Sequence, residues 1–414
     1  MEKIKPFNIS KQHVLDAYRK VKANKGAAGV DDQSLTEFEN HLEDNLYKLW
    51  NRMASGSYFP PPVKAVEIPK RSGGKRTLGI PTVTDRIAQT VVTMMIENEI
   101  DKVFHVDSYG YRPNKRALDG VGTTRERCWK YEWLLEYDIK GLFDNINHAK
   151  LMKAVTRHVQ EKWLLLYITR WMKAPIMHKG GELKERTKGT PQGGVISPVL
   201  SNLFLHYAID MWMIKNHPHI KWARYADDGV MHCATKEEAE QLKQALDLRL
   251  KECDLEMHPD KTKIVYCGTK AEEEHTSFTF LGYIFHKRRA IAKRTGEVFT
   301  SFLPAIGTER LKAMRQEIRK DNVRARTELS LEQIAQWYNP KLRGWYNYFG
   351  KFYPSRLGKL WAYFNKALVL WAKSKYKNIR SGTSKAIALI KRVQEANGSL
   401  FFHWKLNKGK EFYV

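Results

Sequence analysis

The sequence of 414 residues lacks several features that stabilise secreted and membrane-bound proteins. It has only four cysteines, and no two of them form the Cys-x-x-Cys pair that structural zinc sites use. No apolar run approaches the ~18 residues that cross a bilayer. The first ten residues, MEKIKPFNIS, contain no apolar signal region. These absences exclude a zinc-finger or disulfide-framework protein, and they favour a cytoplasmic chain without membrane spans.

Acidic residues are scarce relative to basic ones. The chain has 71 Lys and Arg but only 45 Asp and Glu, a formal net charge of +26 at pH 7. Residues 301–414 hold 23 basic and 7 acidic residues, a net +16. This excess favours a polyanionic partner, nucleic acid before membrane. Aromatic rings in the same region can stack on bases, but core packing is the simpler interpretation of its tryptophans, Trp337, Trp345, Trp361, Trp371 and Trp404.

The order of sequence patterns predicts an α+β domain followed by a helical one. Residues 1–60 have helical periodicity, with Ser10 as a candidate N-cap. Further along, strand-like runs alternate with helices and a hairpin, which is typical of an antiparallel sheet backed by helices. Residues 286–304 are basic and end in Pro304, so we expect a domain boundary there and only helices after it. One apolar stripe in the helical part is expected to be core: Leu357, Trp361, Phe364, Leu368 and Trp371.

The segment KWARYADDGVMHC, residues 221–233, places two adjacent carboxylates at the tip of an expected β-hairpin. On its own, Asp-Asp-Gly is ordinary turn chemistry. The alternative is that Asp227 and Asp228 hold a divalent cation such as Mg²⁺. A two-metal site needs acids that converge from separate elements. Asp138 is the candidate, because it ends the apolar strand-like run WLLEYD 89 residues upstream.

Other motifs surround these acids in a characteristic order. Between the acids lies GTPQGG, and the flanking blocks are NKGAAGVD (24–31), EIPKRSGGKRTLGIPTVTDRIAQ (67–89), YGYRPNK (109–115), LEMHPDKTKIV (255–265), FLGY (280–283) and NPKLRGWYNYFG (339–350). Together they resemble the bacterial group II intron-encoded reverse transcriptase–maturases, in the form without a C-terminal HNH endonuclease. The ordered set is specific, so the turn-only interpretation of the two aspartates is abandoned.

The resemblance implies a right-hand polymerase fold. Residues 61–300 would form the fingers and palm, with an antiparallel palm sheet backed by helices, and residues 301–380 an all-α thumb, or maturase, domain. Residues 1–60 would be an N-terminal extension, and residues 381–414 a short basic segment, the remnant of a DNA-binding region. Asp144 is expected to cap the helix that begins near NINHAK.

The resemblance also implies roles for individual residues. Asp138, Asp227 and Asp228 would be the catalytic metal ligands for two Mg²⁺ ions, with Mn²⁺ as a possible substitute. The nucleotide-binding residues would be Lys70, Arg76, Ile139, Phe143 and Gln192, with Phe143 as the steric gate against a 2′-hydroxyl. The template, primer or RNA contacts would be Arg112, Lys261, Leu281, Gly282 and Arg343. A structural role for Arg112 and a merely solvated Lys261 are the open alternatives.

The function implied is that of an RNA-directed DNA polymerase in the bacterial cytoplasm. It would copy an RNA template into cDNA from dNTPs and a DNA primer or target, and bind group II intron RNA to assist splicing and mobility. One alternative is a stand-alone, domesticated reverse transcriptase in DNA repair or phage defence. Another is a non-catalytic RNA-binding splicing cofactor, although intact Asp138, Asp227 and Asp228 favour an enzyme.

Overall fold

The computed structural model describes residues 5–69, 74–268, 275–291, 294–379 and 382–406. The described strands are β1 Val63–Pro69, β2 Lys75–Ile80, β3 Trp133–Asp138, β4 Ile176–Met177, β5 Leu183–Lys184, β6 Lys221–Tyr225, β7 Asp228–Cys233, β8 Lys263–Tyr266, β9 Ser277–Phe280, β10 Tyr283–Ile291 and β11 Val298–Ile306. They form three sheets, with the orders β2-β1-β4-β5, β6-β7-β3-β8 and β11-β10-β9.

The described helices are α1 Lys11–Asn24, α2 Leu35–Glu39, α3 Leu42–Ala54, α4 Val83–Asp101, α5 Ala117–Arg127, α6 Leu142–Asn145, α7 His148–Val155, α8 Lys162–Lys173, α9 Ser197–Leu205, α10 Met211–Asn216, α11 Lys236–Glu252, α12 Thr308–Asp321, α13 Leu331–Phe349, α14 Gly358–Lys375, α15 Thr383–Ala396 and α16 Phe402–Lys405. A π-helical turn, His206–Asp210, joins α9 to α10. Among the described residues, no helix is both long and apolar enough to cross a membrane.

The chain divides into two compact units. The first contains residues 1–120 and 134–264, and the second contains residues 121–133 and 265–414. The division therefore falls at residue 264, whereas the sequence placed a boundary at residue 300. The predicted N-terminal extension belongs to the first unit, and β9 to β11 belong to the second.

The first unit holds the mixed helical and sheet structure that the sequence predicts. Ser10 accepts a hydrogen bond from the His13 N–H at 3.0 Å and caps α1, so the predicted N-cap is confirmed. Strands β6 and β7 pair antiparallel, and β3 lies next to β7 in the same sheet. The four central residues of β3 are buried, as an apolar central strand requires. This arrangement puts the end of β3 and the β6–β7 hairpin in one sheet.

The second unit begins with strands where the sequence predicted a boundary. β10 and β11 pair over nine residues, with Pro304 opposite Phe285. Proline cannot donate to a ladder, but β11 is an edge strand, where this loss is tolerated. The all-α assignment from residue 301 was therefore wrong for residues 301–306, which belong to β11.

The remainder of the second unit is helical. Ser330 and Gln333 form the N-terminal capping box of α13. The predicted apolar stripe, which consists of Leu357 and four residues of α14, is buried. Helix α16 in the predicted C-terminal segment is linked to α13, because Asn339 Oδ1 accepts a hydrogen bond from the Phe402 N–H at 2.8 Å. Residues 407–414 lie outside the described residues.

Candidate active site

The β6–β7 hairpin turns at Ala226 and Asp227, because Tyr225 and Asp228 are the last paired residues. The predicted Asp-Gly turn is therefore displaced by two positions. Ala226 has a left-handed φ of +55°, which is uncommon for a residue with a Cβ atom. Strained backbone of this kind is concentrated at functional sites.

Gly229 serves packing rather than the turn. It pairs with Arg224 in the ladder, and a Cβ atom there would lie 2.4 Å from the ring and hydroxyl of buried Tyr137. The Tyr137 ring is thus pressed against the backbone immediately after Asp228.

Replacing Gly229 by alanine is expected to destabilise the first unit by about 1–3 kcal/mol, the usual cost of overpacking a core. Thermal unfolding measures this effect. Gly344→Ala is the matched control, because a Cβ atom at this exposed position of α13 meets nothing within 4 Å. The control should raise stability by about 0.5–1 kcal/mol, since alanine is the better helix former. Equal unfolding temperatures for the two variants would contradict the prediction.

Asp138 ends β3 and is fixed by the chain that precedes β8. Its carbonyl accepts a hydrogen bond from the His258 N–H at 2.8 Å, and Ile139 forms a bridge with Met257. The Asp138 carboxylate lies 3.0 Å from the Lys261 ammonium group. Lys261, predicted to contact template or RNA, is thus an ion-pair partner of a predicted catalytic acid.

Asp227 lies in a less hydrated environment than an ordinary surface carboxylate. Burial raises the pKa of Asp227, and the negative charge of Asp138 raises it further, while Lys261 and Arg224 act in the opposite direction. The two carboxylates therefore interact through space, and each makes the site more attractive to a cation.

No group of three or more His, Cys, Asp and Glu side chains in the described parts of the chain is arranged as a metal cage. A preformed cage is not required, because Mg²⁺ is commonly held by one or two carboxylates together with substrate phosphates. The available donors fit such an ion: Asp138 and Asp227 carry hard carboxylate oxygens that repel each other, and the Lys261 ammonium group lies against Asp138.

Phe143 is held by its backbone, and its side chain is only half-buried. Its carbonyl accepts a hydrogen bond from the Thr190 N–H at 2.7 Å. Gly189 permits this approach, since a Cβ atom there would lie 2.5 Å from the Phe143 oxygen, and its φ is +79°. The glycine-rich GTPQGG segment thus packs against the short helix α6 that contains Phe143.

The same segment also docks against β2. The Gly79 N–H donates to the Gln192 carbonyl at 2.7 Å, and a Cβ atom at Gly193 would lie 2.4 Å from the Gly79 oxygen. Arg76 is exposed three residues earlier on β2. Lys70, also predicted to bind the nucleotide, lies outside the described residues.

Two predicted contact residues are used structurally. The side chain of Ile139 is buried, with 1% of its surface exposed, so only its backbone is available to a nucleotide. Arg112 donates to both Asp101 carboxylate oxygens and to the Asp101, His105 and Ser108 carbonyls. Its side chain is 6% exposed. This geometry favours the structural role for Arg112, one of the two roles that the sequence left open.

Asp144 also differs from expectation. It belongs to the short helix α6, and the residue that caps α7 is Asn147, whose side chain accepts a hydrogen bond from the Lys150 N–H at 3.0 Å. Asparagine is as good an N-cap as aspartate, so the sequence did not distinguish the two candidates.

Tyr111 was not predicted as a site residue. Its ring centre lies 5.9 Å from that of Tyr225, and its φ is +52°, an outlier for an aromatic residue. Burial raises the pKa of Tyr111, with further contributions from Tyr225 and Asp227, while Arg76 lowers it. Tyr111 therefore lies among predicted catalytic and nucleotide-binding residues, although nothing in the motif YGYRP signals this backbone conformation.

The remaining predicted contacts belong to the second unit. Leu281 and Gly282, with φ of +54° and +81°, form the two-residue turn between β9 and β10. The Leu281 carbonyl accepts a hydrogen bond from the Tyr348 hydroxyl at 2.9 Å. Arg343 is exposed on α13, and its guanidinium lies 5.7 Å from the centre of the Phe402 ring.

Comparison with known families agrees with this geometry. The pattern described as reverse transcriptase (RNA-dependent DNA polymerase) matches residues 68–285, just over half of the chain and the part that contains all three predicted catalytic acids. The chain therefore belongs to the reverse transcriptases, and it is an RNA-directed DNA polymerase.

The subgroup follows from a second match. The pattern described as the group II intron, maturase-specific domain covers residues 311–387. The group II intron-encoded protein LtrA of Lactococcus lactis subsp. cremoris is 27% identical over 95% of this chain and 77% of its own length. Protein YkfC of Escherichia coli K12 is 32% identical over 68% of this chain and 82% of its own length. The predicted resemblance to group II intron reverse transcriptase–maturases is confirmed.

Among solved structures, telomerase from Candida albicans, in complex with a telomeric RNA fragment, is similar with a TM-score of 0.48 and 11% identity. The match covers 90% of this chain and 68% of that chain.

Proposed function

We propose that Asp138, Asp227 and Asp228 hold the divalent ions with which this reverse transcriptase copies RNA into cDNA. The observation that supports the proposal most is the position of Asp227 and Asp228 on a hairpin next to β3, so that Asp227 is within electrostatic reach of Asp138. Two Mg²⁺ ions, when bound, would lower the pKa of the primer 3′-hydroxyl and neutralise the leaving pyrophosphate.

The side chains around the acids would orient the nucleotide. Arg76 is exposed and free to meet the triphosphate, as a guanidinium suits phosphate oxygens. Gln192 would lie along the base or sugar, because its backbone is fixed to Gly79. Phe143 would lie beneath the sugar, with part of its half-buried ring accessible to the nucleotide.

Lys261 would exchange partners during the reaction cycle. Without a bound cation it neutralises Asp138 at 3.0 Å. With a divalent ion held by Asp138, the Lys261 ammonium group would move towards solvent or substrate phosphate, because like charges repel. Metal binding is therefore expected to break this ion pair.

The direct test is primer extension by the purified chain. A DNA primer on an RNA template, with dNTPs and Mg²⁺, should be extended, and chelation by EDTA should stop the reaction. Mn²⁺ should restore it. Absence of extension with either metal would contradict the proposal.

We also propose that the second unit binds group II intron RNA to assist splicing and mobility in a bacterial cytoplasm. The net +16 of residues 301–414 and the maturase match support this assignment. Copurified RNA should contain intron sequence. Recovery of unrelated RNA alone would favour the stand-alone role in repair or defence.

RNA affinity should depend steeply on salt, because each neutralised phosphate releases bound counterions. Three exposed residues of the maturase region, Arg319, Lys320 and Arg324, are suitable for a test. Their joint replacement by Gln should lower the slope of log Kd against log salt by roughly 2, at about 0.7 per phosphate. Filter binding at several salt concentrations measures the slope.

The matched control removes the same charge from the first unit. Lys153, Lys162 and Lys215 are exposed there, and their replacement by Gln should leave the slope nearly unchanged. Equal slopes for the two triple variants would contradict the assignment of intron binding to the second unit.

A further inference from the structure

Arg224, three residues before Asp227, is wholly buried, which is rare for arginine. Its Nε donates to Asp210 Oδ1 at 2.8 Å, and its Nη2 donates to Asp210 Oδ2 at 2.6 Å. Neither side chain has any exposed surface. Apolar residues of similar volume often replace such a buried pair without loss of stability, so stability alone does not explain its presence.

The other N–H groups of Arg224 reach three further groups. Nη2 donates to Ser108 Oγ at 3.0 Å, and Nη1 donates to Asn202 Oδ1 and to the Ala226 carbonyl, both at 3.1 Å. All five donors of the guanidinium are therefore used. One of these bonds ends on the turn that precedes Asp227.

That turn is the strained one. Ala226 has a φ of +55°, and a strained conformation of this kind persists only when its surroundings enforce it. Gly110 packs so closely that a Cβ atom there would lie 2.5 Å from the Ala226 nitrogen. Asn202 Nδ2 donates to the Gly110 carbonyl at 2.6 Å. Arg224 and Gly110 thus constrain Ala226 from two directions. Asn202 forms hydrogen bonds with both Arg224 and Gly110.

Asp210 closes the π-helical turn between α9 and α10. Such turns are rare and are often found at functional sites. Asn202 on α9 and Asp210 in this turn both accept hydrogen bonds from Arg224. The irregular helix and the hairpin are thereby joined through one guanidinium.

We propose that Arg224 is a positioning residue of the polymerase: anchored by Asp210 and Asn202, it holds the Ala226 carbonyl and fixes the strained turn that carries Asp227. This inference rests on the proposed role of Asp227 as a metal ligand. The inference explains why position 224 holds a buried guanidinium group rather than an apolar side chain. A shift of about 1 Å in a reacting group can cost about 100-fold in rate, so a fixed turn matters more for turnover than for folding.

Arg224→Lys tests the inference. Lysine keeps the charge opposite Asp210 but lacks the planar fork, so it cannot also hold the Ala226 carbonyl. Primer extension should show a kcat about 100-fold lower and a higher half-saturating Mg²⁺ concentration. RNA affinity should stay within about twofold, because the phosphate-binding surface is unchanged.

A second substitution distinguishes positioning from stability. Ala226→Gly removes the strain of the turn, so Arg224→Lys/Ala226→Gly should recover at least about tenfold of the kcat that Arg224→Lys loses. Arg249→Lys is the matched control. Arg249 donates to the Ala208 and Tyr207 carbonyls of the same π-helical turn, at 2.9 and 3.1 Å. Its kcat should remain within about threefold of the original, the residual effect of a small loss of stability.

The inference is overturned if Arg224→Lys and Arg249→Lys slow extension equally, or if Ala226→Gly recovers nothing. If Arg224→Lys does not fold, Asn202→Ala replaces it in the experiment. Asn202→Ala should then lower kcat, and Asn202→Ala/Ala226→Gly should recover part of that loss. The contrary results would again overturn the inference. Activity in Asp227→Ala would defeat the proposed metal site itself. An inactive Asp227→Ala beside a fully active Arg224→Lys would defeat only the positioning role.

Discussion

Asp227→Ala is expected to lower the rate of primer extension by about 10²- to 10³-fold, as is typical when a group that stabilises transition-state charge is removed. The Asp227 carboxylate is the charge at the tip of the hairpin that interacts with Asp138 across the sheet. Its loss should leave RNA affinity within about twofold, because basic residues rather than this acid bind phosphate. Single-turnover extension and filter binding measure the two quantities.

Asp260→Asn is the matched control for this experiment. Asp260 is an exposed acid in the short 3-10 helix Pro259–Lys261, next to the lysine that pairs with Asp138. Its neutralisation makes the same change of charge near the site but removes no proposed ligand, so extension should change by less than about threefold. A near-normal rate of primer extension by Asp227→Ala, or an equal loss of rate in Asp227→Ala and Asp260→Asn, would contradict the assignment of Asp227 to the active site.

Phe143→Val is expected to admit ribonucleotides. A phenyl ring beneath the sugar excludes a 2′-hydroxyl by steric clash rather than by a new attraction. Shortening the side chain should raise the ratio of ribonucleotide to deoxynucleotide incorporation by about 10- to 200-fold, the range for a pocket that gains or loses a small group. Single-nucleotide incorporation on one RNA template gives the ratio.

Leu142→Val separates this effect from a loss of stability. Leu142 precedes Phe143 in α6 and is buried, with 1% of its surface exposed. Its truncation should cost about 1 kcal/mol of stability without changing sugar selectivity. If Phe143→Val lowers the melting temperature in the same way and leaves the incorporation ratio unchanged, Phe143 is a packing residue and the steric gate lies elsewhere.

Local sequence patterns were sufficient where the local structure followed intrinsic preference. An apolar run that ends in Asp138 predicted a central strand, and Ser10 predicted a helix start; both are present. The β6–β7 turn was displaced because tertiary contacts place alanine, not glycine, in a left-handed conformation. That conformation depends on Arg224 and Gly110, whose positions no local pattern reveals.

The second kind of error came from charge. The run HKRRAIAKR, residues 286–294, was interpreted as a basic boundary, yet residues 283–291 form strand β10, the central strand of the β11-β10-β9 sheet. Lysine and arginine can pack their aliphatic stems along a sheet while their charges reach water, so a basic strand resembles a linker in sequence.

For Arg112 the sequence left two roles open, because its partner Asp101 lies eleven residues away at the end of α4.

The sheet order β6-β7-β3-β8 has a consequence for how the chain folds during synthesis. β3 ends at Asp138, but its neighbour β7 begins at Asp228, so the two proposed halves of the active site are translated about ninety residues apart. At roughly 5–20 residues per second, β3 waits about 5–20 s for β7. During this interval the apolar strand Trp133–Asp138 has an unpaired edge that is open to association with other chains. Slower translation between residues 138 and 233 should therefore lower the soluble yield, whereas the β10–β11 hairpin, whose partners are close in sequence, should be unaffected by translation rate.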